Sequence, residues 1–195
     1  FVFILTVFGP SVSGSGEAFK NSDTLDGLER ELQHLLSIGM AQSQDPAGLL
    51  RLASLYLDLG YGEYVDRERK LASFQEGARL AKKYLEQKES SADAHFLYAA
   101  NLGQAVKLQG VVAAALNLQT LKAHVNRVLE LDGGHAPAHH MLGLMYEELP
   151  WFLGGDSEEA GEHLQKAISL DDHYAPARLD LGKWYLKHGR SQAAA

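Results

Sequence analysis

A small residue recurs in this chain at the centre of successive apolar, helix-forming segments, and no other feature limits the possible folds so strongly. Ala53, Ala99, Gly143 and Gly182 stand 46, 44 and 39 residues apart. Two of them sit in the same motif, Leu-Gly-x-x-Tyr: Leu142-Gly143 with Tyr146, and Leu181-Gly182 with Tyr185. Leu52-Ala53 with Tyr56 and Tyr98-Ala99 with Leu102 are looser copies. A small side chain at a fixed point lets a second helix press close, because close-packed interiors punish an extra methylene. The second helices are also legible. Ala160, Leu164 and Ala167 share one face, as do Leu121, Val125 and Val128, and Gly77, Ala81 and Tyr84. Charged residues lie opposite, so each segment is amphipathic. Such self-similarity predicts stacked helix pairs.

After residue 20, sustained alternating runs are missing and helical periodicity dominates. Helices are predicted over roughly 23–38, 46–60, 67–88, 91–109, 111–131, 136–148, 156–170 and 175–189. Asp45-Pro46, Ser91 and Asp156 suit helix starts, while Gly133-Gly134 and Gly189 suit helix ends. Leu-Gly-x-x-Tyr followed by Ala-x-x-x-large is the tetratricopeptide-repeat (TPR) pattern in degenerate form, with Leu49, His95, His139 and Arg178 at its tryptophan position. The spacings exceed the standard unit of about 34 residues. The excess matches the distance from each small residue to Gly77, Leu121 or Ala160, which places it in the turn within each pair. The expected fold is all-α: a helical-repeat, TPR-like solenoid of antiparallel helix pairs with elongated intra-repeat turns. Its expected parts are a leader over 1–18, a helix and linker over 19–45, and a repeat domain over 46–195. The repeats are 46–90, 91–134, 135–173 and an incomplete 174–195. A final second helix would be missing there, which implies truncation or a partner over that face.

In the third pair the extra turn is Glu148-Leu-Pro-Trp-Phe-Leu-Gly-Gly-Asp156. Pro150 stops one helix, Gly154 and Gly155 allow positive φ, and Asp156 can cap the next. Trp151 and Phe152 either fold back over the end of the pair or meet a ligand or partner. Counting from the small residues, Phe96, Ala100, His140, Leu144, Leu179 and Lys183 face the concave side. They would hold a partner or pack against the next repeat. The structural motif comprises Ala53, Ala99, Gly143, Tyr146, Pro150, Gly154, Gly155, Ala160, Gly182 and Tyr185.

Catalytic and metal chemistry find little support. There is no cysteine, hence no thiol nucleophile or Cys-ligated metal. His135-x-x-x-His139 has metal-ligand spacing, but Pro137 places His135 ahead of the helix. HExxH, a P-loop and GxGxxG are absent, and no GxSxG elbow occurs in the helical body. The carboxylate pairs Glu147/Glu148, Glu158/Glu159 and Asp171/Asp172 adjoin helix ends. No catalytic residue, metal or cofactor is therefore assigned. A net charge of −7 without a basic stretch argues against nucleic acid.

Phe1–Phe8 is a continuous apolar run followed by small residues, the pattern of a secretory leader cleaved near Gly16 or Ala18. An exported, periplasmic protein is expected. The alternatives are an N-terminal membrane tether and a buried terminal element.

The stretch from Leu149 to Asp171, with Ala99–Gly110 upstream, resembles two related groups of degenerate TPR proteins. One is the T-component of TRAP-type solute transporters; the other is the regulator of microtubule dynamics family. Both share a Pro-x-x-x-Gly-Gly turn leading into a Lys-, Glu- and Ala-rich helix, and the resemblance spans roughly 45–190. The leader-like start favours the bacterial branch. That branch implies a non-enzymatic accessory to a transporter's binding protein, or a carrier of a small apolar ligand in a groove or pore. Its lipoprotein anchor needs a cysteine that this chain lacks, which implies a soluble periplasmic form. The functional expectation is an interaction adaptor with a protein partner.

Overall fold

The computed structural model describes residues 25–62 and 66–189, and the expected leader lies outside them. Among the described residues every regular element is helical: α1 (Leu25–Ser37), α2 (Pro46–Gly62), α3 (Arg67–Leu85), α4 (Ala92–Gln109), α5 (Val111–Leu131), α6 (Ala136–Glu148), α7 (Ser157–Leu170) and α8 (Ala175–Lys187). Two short 3-10 turns, Met40–Gln42 and Trp151–Leu153, complete the elements. The fold is the all-α, TPR-like repeat expected from the spacing.

The punctuation acts locally as its chemistry requires. Asp45 accepts from the amides of Ala47 and Gly48, Ser91 from Ala94, and Asp156 from Glu158 and Glu159. Each bond satisfies amides that have no partner within the helix. Gly110 (φ 104) and Gly189 (φ 71) take positive φ at helix ends.

The extra residues lie elsewhere than the spacing implied in the first two pairs. There they lengthen the helices. α2 to α5 run for 17, 19, 18 and 21 residues, and Gly110 alone separates α4 from α5. In the third pair α6 and α7 have 13 and 14 residues, and the extra chain is a turn. No proline interrupts 47–136, so helix can propagate there; Pro150 and the two glycines forbid it in the third pair.

The chain divides into two compact units, one ending at Leu131 and the other beginning at Asp132. In the first, α2, α3, α4 and α5 pack in sequence and α1 lies on α2. Leu49, Leu52, Leu55, Leu59, Leu80 and Leu97 are fully buried. Burying one leucine is worth about 1.5–3 kcal/mol. Asn101 ties three helices together: it packs against Gly77 of α3 while its amide nitrogen donates to the Ala53 carbonyl of α2. Arg51 of α2 grips Glu31 of α1 through two bonds of 2.7 and 2.6 Å. Beside them, burial pushes the Asp58 carboxyl up to about 6, although Arg51 and Ser54 pull the other way.

In the second unit α6 packs on α7 and α7 on α8. Ala160, Leu164 and Trp184 form its core, with Tyr146, Leu181 and Tyr185 against them. Gly161 leaves room for the Trp184 ring, whose nitrogen donates to the Ser157 carbonyl at 3.0 Å. At Gly143 a methyl would meet the Ala160 carbonyl at 3.0 Å and Leu164 at 2.9 Å. At Gly182, the equivalent place in α8, a methyl would meet nothing within 4 Å.

That contrast predicts opposite outcomes for one substitution. Gly143→Ala should lower stability by about 1–3 kcal/mol through overpacking. Gly182→Ala should be neutral or stabilising by up to ~1 kcal/mol, because alanine favours helix. Urea unfolding of the two variants decides it. A second outcome follows from Asp58. Its folded-state pKa of about 6 exceeds the ordinary 3.8, so the folded protein holds the proton more tightly and ionisation costs stability as pH rises through that window. Asp58→Asn should match wild type near pH 4 and exceed it by about 1–3 kcal/mol above pH 6. Unfolding free energies across that pH range would show the divergence or its absence.

Candidate functional site

The turn after α6 is built almost wholly from its own backbone. Leu149 makes the last helical bond to Met145, and Pro150 then redirects the chain. The amides of Leu153 and Gly155 both donate to the Pro150 carbonyl, at 2.9 and 3.0 Å. The Asp156 amide reaches back to the Tyr146 carbonyl at 3.0 Å, which closes the turn across the helix end. Gly154 has φ 86, as its position required. Gly155 matters for another reason. A Cβ there would stand 1.7 Å from the Leu149 carbonyl oxygen, so only glycine fits.

With its interior filled by backbone, the turn leaves no room inside for rings. Trp151 is 84% exposed, Phe152 67% and Leu153 43%. The expectation that Trp151 and Phe152 fold back to cover the pair is therefore corrected: they stand in water. They touch edge to face, with ring centroids 5.9 Å apart and planes at 88°. Asp156, Glu158 and Glu159 follow immediately and are exposed. The result is a fixed apolar knob with an acidic margin.

The concave-face residues separate into two sets. Phe96, Ala100, His140 and Leu144 are buried and line no open groove. Leu179 (60% exposed) and Lys183 face solvent, and Lys183 pairs with Asp180 at 2.8 Å. His140 shows why helical counting misassigned it. Its Nε2 lies 2.9 Å from Asp180 and its Nδ1 3.2 Å from the Tyr174 hydroxyl, so neighbouring chain covers the ring completely. The Tyr174 hydroxyl is pushed far up by that burial and by Asp180. This cluster holds α6 to α8; losing one partner of a buried pair costs about 3–5 kcal/mol. Of the motif residues, Ala53, Ala99, Gly143 and Ala160 are buried, while Tyr146, Gly182 and Tyr185 are part-exposed.

Sequence reasoning missed a repeated contact. His95 of α4 meets His124 of α5 with Nδ1 atoms 2.7 Å apart, and His139 of α6 meets His163 of α7 at 2.9 Å. Spacing within one helix cannot reveal a pair formed between two. The recurrence of histidine at the tryptophan position was the available signal. His135 caps α6 through its own Nδ1, outside the helix as Pro137 required. Asp171, Asp172 and His173 bring candidate ligand atoms within 4.8 Å of one another in the loop before α8, where the His173 amide donates to Asp171. Among the described residues no helix is long and apolar enough to cross a membrane.

Known proteins bear on these features. The family model for regulator of microtubule dynamics proteins 1-3 matches residues 17–149. Regulator of microtubule dynamics protein 1 from Mus musculus is 30% identical over 183 residues, covering 86% of this chain and 60% of that protein. The Bos taurus protein of the same name is 30% identical over 196 residues, covering 91% and 62%. The chain thus spans about three fifths of the length of these relatives. Two crystal structures of MamA share the fold. One has a TM-score of 0.55 at 19% identity, covering 87% of this chain and 83% of MamA; the other has 0.50 at 21%, covering 87% and 76%. The transporter branch of the resemblance, favoured from the leader-like start, receives no support, and the regulator branch does. The chain belongs to the regulator of microtubule dynamics family, whose model covers α1, the first two helix pairs and α6, up to the exposed turn.

Proposed function

We propose that this chain is a non-enzymatic protein-interaction adaptor and that Trp151, Phe152 and Leu153 form its contact. The carrying observation is the conflict between order and exposure. Backbone bonds fix the turn, yet its three apolar side chains remain in water. Aromatic anchors on a preorganised loop are the usual centre of a binding hot spot, since little conformational freedom is lost when they are buried. Burying each ring fully would be worth about 1.5–3 kcal/mol.

The margin defines the partner's chemistry. Asp156, Glu158 and Glu159 beside the knob suit an apolar pocket edged with lysine or arginine. The name of the relatives makes proteins of the microtubule system the first place to look for that pocket. A solute-uptake role is not carried forward.

A photo-crosslinking amino acid at Phe152 should capture one predominant protein in cells, which is then purified. Trp151→Ala/Phe152→Ala should leave the melting temperature unchanged, because both side chains are exposed. It should weaken the purified partner by about 2–4 kcal/mol. Full affinity in the double variant would sink the proposal.

A further inference from the structure

The two histidine pairs occupy one position of the repeat. His95 and His139 each lie four residues before the small residue of the first helix. His124 and His163 each lie three residues after the first helix-B position, Leu121 or Ala160. In the first pair the same places hold Leu49 and Leu80, both fully buried. Where the first pair holds two buried leucines, the next two hold facing imidazoles.

The orientation of the inner rings is also repeated. His95 Nε2 lies 2.8 Å from the Glu89 carbonyl and His139 Nε2 3.2 Å from the Gly133 carbonyl, each six residues back. A carbonyl only accepts, so Nε2 carries the proton, and Nδ1 of the neutral ring presents a lone pair to the second histidine. Histidine ligands of metal ions are oriented in this way, by a carbonyl on the far nitrogen. With metal–nitrogen bonds of about 2.0–2.1 Å, two nitrogens at a right angle stand ~2.9 Å apart. The observed separations are 2.7 and 2.9 Å. We propose that His95–His124 and His139–His163 are two bis-imidazole sites for a divalent first-row transition-metal ion, Cu2+ binding tightest.

The ion enters along the lone pair of the inner ring as the outer ring turns aside. His124 and His163 are half-buried, which leaves them room to turn. The proton shared between the Nδ1 atoms moves to Nε2 of the outer ring, so both imidazoles bind as neutral ligands and no proton is released. Water completes a square-planar set, the geometry that favours Cu2+ over Zn2+. Lys82 faces His124 and Lys166 faces His139, and both oppose a dication. Glu89, held by Arg127, and Glu162 oppose them in turn. At each site, two protein ligands and one nearby ammonium group imply weaker binding than a four-ligand structural site.

Calorimetric titration of the full chain with CuCl2 in a non-coordinating buffer should give two equivalents. His95→Leu/His124→Leu should reduce this to one, and adding His139→Leu/His163→Leu should abolish it. Leucine is chosen because Leu49 and Leu80 hold the same places in the first pair. Where the leucine variants fail to fold, His124→Asn and His163→Asn should each weaken one site at least roughly tenfold. The paramagnetic resonance spectrum at one equivalent should carry coupling to imidazole nitrogen, lost in the fourfold variant. Unchanged stoichiometry in that variant, or its loss on His173→Ala alone, overturns the proposal by placing copper on other groups. Absence of binding to the wild-type chain overturns it as well.

Discussion

The missing side chain at Gly143 sets the distance between α6 and α7, and the rest of that unit follows from it. With the Ala160 carbonyl 3.0 Å from where a methyl would stand, Leu164 can settle over the glycine and meet Trp184 from α8. Tyr146 lies one turn further along α6, where its ring stacks on His163 at 5.5 Å. In the other unit the same logic runs in reverse. Gly77 belongs to the second helix, and Asn101 of the next helix fills the gap and donates to the Ala53 carbonyl. In both units a glycine makes room at a contact between helices, for backbone and Leu164 at Gly143 and for the Asn101 side chain at Gly77.

How much could be read in advance depends on how local each feature is. Helix limits were legible because proline, glycine and capping side chains act on the chain within one turn. The site of the extra residues was misread because a spacing counts residues without saying what conformation they take. The segments after Ala53 and Ala99 continue as helix, with only Gly110 breaking the second. His140 was assigned to a groove by counting along one helix, whereas Asp180 and Tyr174, 34 to 40 residues away, decide its burial. Trp151 and Phe152 were recognised as unusual, but their direction depends on how the Gly155 backbone fills the turn. Local rules reached the elements, and contacts between elements settled the side chains.

The position held by Leu49 and Leu80, then twice by paired histidines, makes the same point energetically. Two fully buried leucines contribute several kcal/mol by removing apolar surface from water. Two imidazoles give up much of that, and their mutual hydrogen bond returns only about 0.5–1.5 kcal/mol net. Elsewhere in the chain buried polar groups join helices that leucine could not have joined as specifically, as Asn101 does through the Ala53 carbonyl. The histidine pairs have no such excuse, because the first repeat shows that leucine fits the place. The concession is made in two successive repeats with the same ring orientation against the same carbonyl offset. What the facing imidazoles add, and leucine cannot, is the capacity to exchange a proton or, as proposed above, to bind a metal ion.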